Sequence, residues 1–238
     1  MNKVIFFFFL GTIVFAQSYK LEYDEVYLLS NKSKKNLPEV IIENYEQPKP
    51  HELLINENDL CLYKKQNKFS SSNGMQMIGN YTTNFIVTNP AEKYIYQDIN
   101  IENKNYKVKS PLKLSDRWQN HRETKTINGI LTTKVTLESI NNFIEVWYAK
   151  DIKTKCGPSN ILGFPGLVVE VISKPKTDDN VTAIYRLKNI EILKDDNQLK
   201  SYFDKISEQT ISLEEFNDIY KAYQKNVQEM YGGGIEKD

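Results

Sequence analysis

Thr124-Lys125-Thr126-Ile127-Asn128-Gly129-Ile130-Leu131-Thr132-Thr133-Lys134-Val135-Thr136-Leu137 decides the fold class. Two runs rich in Thr, Ile and Val flank Asn128-Gly129. A two-residue hairpin turn needs positive φ at both central positions, and Asn-Gly supplies it at low steric cost. Side chains alternate along a strand. Leu131, Thr133, Val135 and Leu137 are therefore expected on one face, and Thr132, Lys134 and Thr136 on the other.

Short extended runs continue in both directions. Tyr19, Leu21 and Tyr23 alternate with polar residues, as a half-buried strand does. Asn31 to Pro38 reads as a lysine-rich turn. Val40 to Ile42, Leu53 to Ile55, Leu60 to Tyr63, Asn84 to Val87, Tyr94 to Ile99 and Tyr106 to Val108 follow as short apolar runs. Phe69 to Gly74 is a Ser/Asn/Gly loop, and Asn89-Pro90 and Ser110-Pro111 are breaks. Beyond the hairpin come Phe143 to Tyr148, Leu167 to Ile172, and Val181 to Ile192 with Ala183, Tyr185 and Leu187 on one face.

The C-terminus changes period. Ser212-Leu213-Glu214-Glu215 is a capping-box pattern. Leu213, Phe216, Tyr220, Tyr223, Val227 and Met230 then recur at helical spacing, which predicts a helix over 213–231 docked on the protein's own sheet. Gly232-Gly233-Gly234 ends it. Strands first and a helix last argue for an α+β or mainly-β antiparallel fold in one domain over 17–238.

The first sixteen residues are different in kind. Lys3, then an apolar run from Val4 to Phe15 broken by Gly11 and Thr12, then Ala16, is the layout of a secretory signal. The run falls short of the roughly 20 residues a membrane-spanning helix needs. Cleavage before Gln17 is expected, with the mature chain exported, periplasmic or extracellular, and without a transmembrane segment. The 31 Lys and Arg offset 31 Asp and Glu. Loss of Lys3 with the leader takes the net charge to about −1, which argues against nucleic acid as a partner.

Candidate chemistry is sparse. His51 and His121 are the only histidines and stand apart, so neither a metal site nor a cofactor is expected. Glu145 alternates with Phe143 and Trp147, and Glu170 shares a strand face with Val168 and Ile172. A carboxylate on an apolar face must be paired, exposed or used. Trp118, Glu145, Trp147 and Glu170 are therefore the candidate pocket, with Arg117, Arg122 or Arg186 as candidate partners for the acids. Cys61 and Cys156 either form one disulfide or remain free thiols. A free Cys156 with His121 as base is a nucleophile candidate.

Gly163-Phe164-Pro165-Gly166-Leu167-Val168 has Pro and Gly where a type II turn over 164–167 wants them. The hexapeptide resembles the signature of the GLPGLI family, exported proteins of Bacteroidetes, with Phe for Leu and Val for Ile. Trp118 followed by Lys125, Ile127 and Gly129 resembles a second family element. Val146-Trp147-Tyr148 followed by Gly157-Pro158 resembles a third. Leu131-Thr132-Thr133 stand where that family often carries a Cys. The resemblance spans about residues 117–172 and implies a curved antiparallel, half-barrel-like sheet. By analogy with periplasmic lipoprotein carriers it implies an apolar ligand or an envelope partner, and it implies no catalytic machinery. A secreted hydrolase using the carboxylates or Cys156, and an accessory to an outer-membrane transporter, are the alternatives.

Overall fold

The computed structural model describes residues 17–35, 37–66, 81–114, 117–177 and 181–232. The expected signal segment, the 69–74 loop, Gly233 and Gly234 lie outside the described residues. Alternating and β-branched runs form a curved, unclosed sheet. Its strands are β1 (Tyr19–Leu28), β2 (Lys49–Ile55), β3 (Cys61–Lys65), β4 (Thr82–Asn89), β5 (Tyr94–Ile101) and β6 (Lys104–Pro111). They continue as β7 (Gln119–Ile127), β8 (Ile130–Glu138), β9 (Asn142–Ala149), β10 (Leu167–Pro175), β11 (Thr182–Ile192) and β12 (Ile211–Ser212). The order across the sheet is β12-β6-β5-β4-β3-β2-β1-β11-β10-β9-β8-β7. All neighbours are antiparallel except β12 on β6.

The deciding hairpin forms as its sequence requires: Ile127 pairs with Ile130, and Asn128 and Gly129 have φ of 50° and 80°. Its faces are less cleanly sorted than the pattern implies. Leu131 is 60% exposed, whereas Thr132 is buried and donates its hydroxyl proton to the Lys125 carbonyl. The run from Val40 to Ile42 is a correction. It lies in the helix α2 (Glu39–Glu46), which has Pro38 at its N-cap and buries none of its residues. The Asn31–Pro38 turn likewise contains a short helix, α1 (Asn31–Lys34), capped by the Ser30 hydroxyl.

Strand alternation defines two sheet faces, named here by adjacent residues of β9. On the Tyr148 face, Val135, Val146, Tyr148, Phe164, Val168 and Val171 form one apolar cluster. Tyr185 carries that face into a second cluster with Leu21, Tyr23, Leu53, Tyr63, Cys156 and Leu187. The helix α4 (Leu213–Gly232) covers the β5–β6 end of this face through Phe216, packed with Ile99, Ile101 and Val108. Its capping box is complete: the Ser212 N–H donates to Glu215 Oε2 at 2.7 Å, and the Glu215 N–H to Ser212 Oγ at 3.1 Å.

On the Trp147 face, Leu54, Leu62, Phe85, Val87 and Tyr96 are covered by a helix the sequence reading omitted, α3 (Asn197–Ser207), through Leu199 and Ile206. The two long helices thus pack on opposite faces near one end of the sheet. The other end is left to the segment 150–166 on the Tyr148 face and to charged side chains on the Trp147 face.

Candidate functional site

Three of the four candidate pocket residues come together on the Trp147 face. A register shift between Val168 and Glu170 sets Glu170 opposite Trp147 on one side and Arg186 on the other. Glu170 is 5% exposed, and it accepts from Lys125 Nζ at 2.5 Å and from Arg186 Nε at 2.9 Å. Burial pushes its carboxyl up, but the hydrogen bonds and charges of Lys125 and Arg186 outweigh burial and hold it below the usual range. Lys125 reaches it across β8 and β9, its ammonium 4.2 Å from the Trp147 ring centre.

Trp147 Nε1 donates to Glu145 at 2.6 Å. Lys134 lies 3.4 Å from Glu145 and 3.1 Å from Glu123. Of the three candidate arginines, Arg186 is the partner of Glu170, while Glu145 takes a lysine and the indole. Every charge here meets an opposite charge, and Trp147 is enclosed beneath the lysines. A carboxylate gripped by two cations stays ionised and has no proton to donate as a general acid. The arrangement can brace the β7–β8 hairpin against β10 and β11.

Trp118 does not join them. It packs edge-on against Phe164, centroids 4.8 Å apart, on the Tyr148 face, and Phe164 in turn stacks on Tyr148. Alternation explains the separation, because residues one apart on β9 face opposite ways.

The hexapeptide also differs from expectation. No β-turn hydrogen bond closes over 164–167, because the Leu167 N–H donates to the Ile152 carbonyl at 3.0 Å. Positive φ falls on Gly163, at 87°, and not on Gly166. Gly166 is required for a different reason: a Cβ there would stand 2.0 Å from the Ala149 carbonyl oxygen. Gly157 is equally confined, with a Cβ falling 2.0 Å from the Ile161 carbonyl oxygen. Phe164, Leu167 and Val168 are buried. The motif therefore serves as a plug, packing backbone against backbone so that Phe164 can fill the Tyr148 face.

Cys61 on β3 and Cys156 in this segment are joined in a disulfide, with Cα atoms 6.0 Å apart. Both are buried, and Cys156 therefore offers no thiolate nucleophile. His121 pairs instead with the Thr136 hydroxyl at 2.8 Å. Among the described residues no three His, Cys, Asp or Glu side chains gather where they could hold a metal ion. No described helix is long and apolar enough to cross a membrane.

A second polar cluster, on the Tyr148 face, was not anticipated. Glu25 and His51 are both buried, and His51 Nε2 lies 3.1 Å from Glu25 Oε2. The Tyr27 hydroxyl donates to Glu25, His51 stacks on Tyr63, and the Tyr63 hydroxyl is buried without a hydrogen-bond partner. One signal was present in the sequence: Glu25 stands between Tyr23 and Tyr27 at period two, a carboxylate on an aromatic face.

PNGF-II has a similar fold. Its structure in a C2 crystal form superimposes with a TM-score of 0.55 at 18% identity, over 90% of this chain and 34% of that one. A P21 form gives 0.51 at 21% identity, over 81% and 34%. The chain thus spans about a third of PNGF-II. A LolA superfamily protein of Nitrosomonas europaea, at 7% identity over 77% of this chain and 90% of that one, reaches a TM-score of only 0.36, too low to carry weight. Comparison with curated proteins finds no match. A family model described as "N-glycanase peptide, N-terminal domain" matches residues 44–210. This chain belongs to the family of N-glycanase N-terminal domains.

Proposed function

We propose that this chain is an exported, non-catalytic binding domain that docks glycoproteins, the glycan-releasing chemistry being carried by a separate domain or protein. One observation carries the non-catalytic part. Each side chain with candidate chemistry is committed to a structural contact: Glu170 to Lys125 and Arg186, Glu145 to Trp147 and Lys134, Cys156 to Cys61. The family description, which names N-glycanases, supports the glycoprotein part.

Export is part of the same proposal and rests on residues 1–16. The GLPGLI likeness over 117–172, itself a resemblance to exported proteins, fits export. An outer-membrane protein as docking partner is a variant of this reading. An apolar ligand is disfavoured, because it would have to displace Phe164 and a segment tied to β3 by the disulfide.

Titration calorimetry of the purified chain tests the proposal, using an N-glycosylated protein and the same protein stripped of its glycans. Saturable binding of the glycosylated form is expected. Binding of neither form overturns docking of glycoproteins, and saturable uptake of a fluorescent fatty acid in its place restores the apolar-ligand reading.

A further inference from the structure

We propose that the edge strand β7 is a docking edge, where an extended polypeptide segment of the glycoprotein adds to the sheet as a further strand. This rests on the glycoprotein reading and names the part of the partner that the surface takes. An unclosed sheet has two edges, each with a row of unpaired backbone groups unless something covers it. At one edge β12 pairs with β6 and runs straight into α4, whose Phe216 packs with Val108 of β6. At the other edge stands β7, and among the described residues its backbone pairs with β8 alone.

The register says which groups are open. In a hairpin closed by two residues the closing pair exchanges hydrogen bonds, and every second pair after it does the same. Ile127 and Lys125 therefore spend their N–H and C=O groups on Ile130 and Thr132. Thr126 and Thr124 turn theirs away from β8, and both residues are exposed. They form the open side of a ladder that an extended chain completes. Leu131, opposite Thr126, is 60% exposed on the Tyr148 face, where an apolar side chain of the added strand would cover it. Towards Gln119 the ladder is interrupted by a register shift between Asn120 and Thr124, so the regular stretch is 124–127.

Charge and register favour a different chain over a second copy of this one. Two-fold pairing through both open residues sets Thr124 of one copy against Thr126 of the other, and Lys125 against Lys125. Like charges directly opposite are destabilising, and sliding the pairing towards Gln119 meets the irregular stretch. Arg122 is exposed, while Glu123, the one acid of β7, is already held by Lys134. A segment with a neutral or acidic residue facing Lys125 meets no such opposition. Affinity in strand addition comes from the main chain, which every polypeptide shares. That suits a domain docking glycoproteins of differing sequence, whose glycan-bearing segments lie in surface loops.

Thr126→Pro tests this. Proline is tolerated on an edge strand where its missing N–H faces outward, so pairing with β8 survives while the incoming strand loses a donor. Calorimetry compares the natural chain with an N-glycosylated protein, and the natural and variant chains with an N-glycosylated peptide cut from it. The natural chain is expected to bind both, and the variant to bind the peptide at least about tenfold more weakly with a nearly unchanged denaturation midpoint. If the glycoprotein binds but the peptide does not, or if natural and variant chains bind the peptide equally, the docking edge is overturned and the glycoprotein reading stands. Binding of neither ligand overturns both. Self-association of the natural chain that the substitution abolishes also overturns the proposal, in favour of a second copy on this edge. If Thr126→Pro does not fold, amide exchange in the natural chain decides it. Slowed exchange at Thr124 and Thr126 on adding the peptide is expected, and unchanged exchange there overturns it.

Discussion

At Gly166 the next chain pass is so close that one methyl group cannot be added without moving backbone. Gly166→Ala is therefore expected to destabilise the fold by about 1–3 kcal/mol, read as a lowered denaturation midpoint with an unchanged slope. The sequence marked this glycine but suggested the wrong reason. Pro-Gly satisfies turn chemistry on paper, and nothing local reveals that the Leu167 N–H is taken by Ile152, fifteen residues earlier. Glu170 was legible in the same partial way. A carboxylate on an apolar strand had to have partners, and Arg186 was among the candidates, but Lys125 arrives only through the curvature of the sheet. Because Glu170 is held below its unfolded range, its contribution is present above about pH 4.3 and lost as pH falls through the lower folded value. Glu170→Gln is expected to cost about 1.5–3 kcal/mol at neutral pH and to flatten the acid limb of a stability profile.

At the scale of the element, period decided what could be read. The capping box and aromatic stripe of α4 are local signals, and both stand in the structure. Phe216 is the anchor, 2% exposed among Ile99, Ile101 and Val108. Phe216→Ala is expected to cost about 3–5 kcal/mol and to raise hydrogen exchange in α4 and β6 ahead of the rest of the sheet. Leu199, Tyr202, Phe203 and Ile206 carry the same helical spacing in α3, but over only 11 residues and without a side-chain cap to mark its start. Val40 to Ile42 could not have been settled from sequence. Three apolar residues fit either period, and α2 buries none of them, so no packing face disciplines the pattern.

For the whole molecule, the disulfide ties β3 to the segment after β9, across a sequence separation of 95 residues. Its loss in a Cys61→Ser, Cys156→Ser variant is expected to cost about 2–5 kcal/mol, measured by denaturation against the oxidised protein. The sequence left pairing and free thiols equally open, because composition cannot bring two distant Cα atoms together. The antiparallel class followed from hairpin and turn chemistry. The faces did not: opposite coverage by α3 and α4 depends on long-range register, and so does the separation of Trp118 from Trp147. Function lay further from the sequence still, since Glu145 and Glu170 are engaged in ion pairs and Cys156 in a disulfide that no local pattern announces.

The central claim is that this domain recognises glycoproteins and does no chemistry on them. Mass analysis of an N-glycosylated peptide incubated with the purified, oxidised chain, after binding has been measured on the same sample, tests it most directly. The expected result is a bound peptide whose mass is unchanged after prolonged incubation. Release of the glycan by this chain alone would contradict the claim.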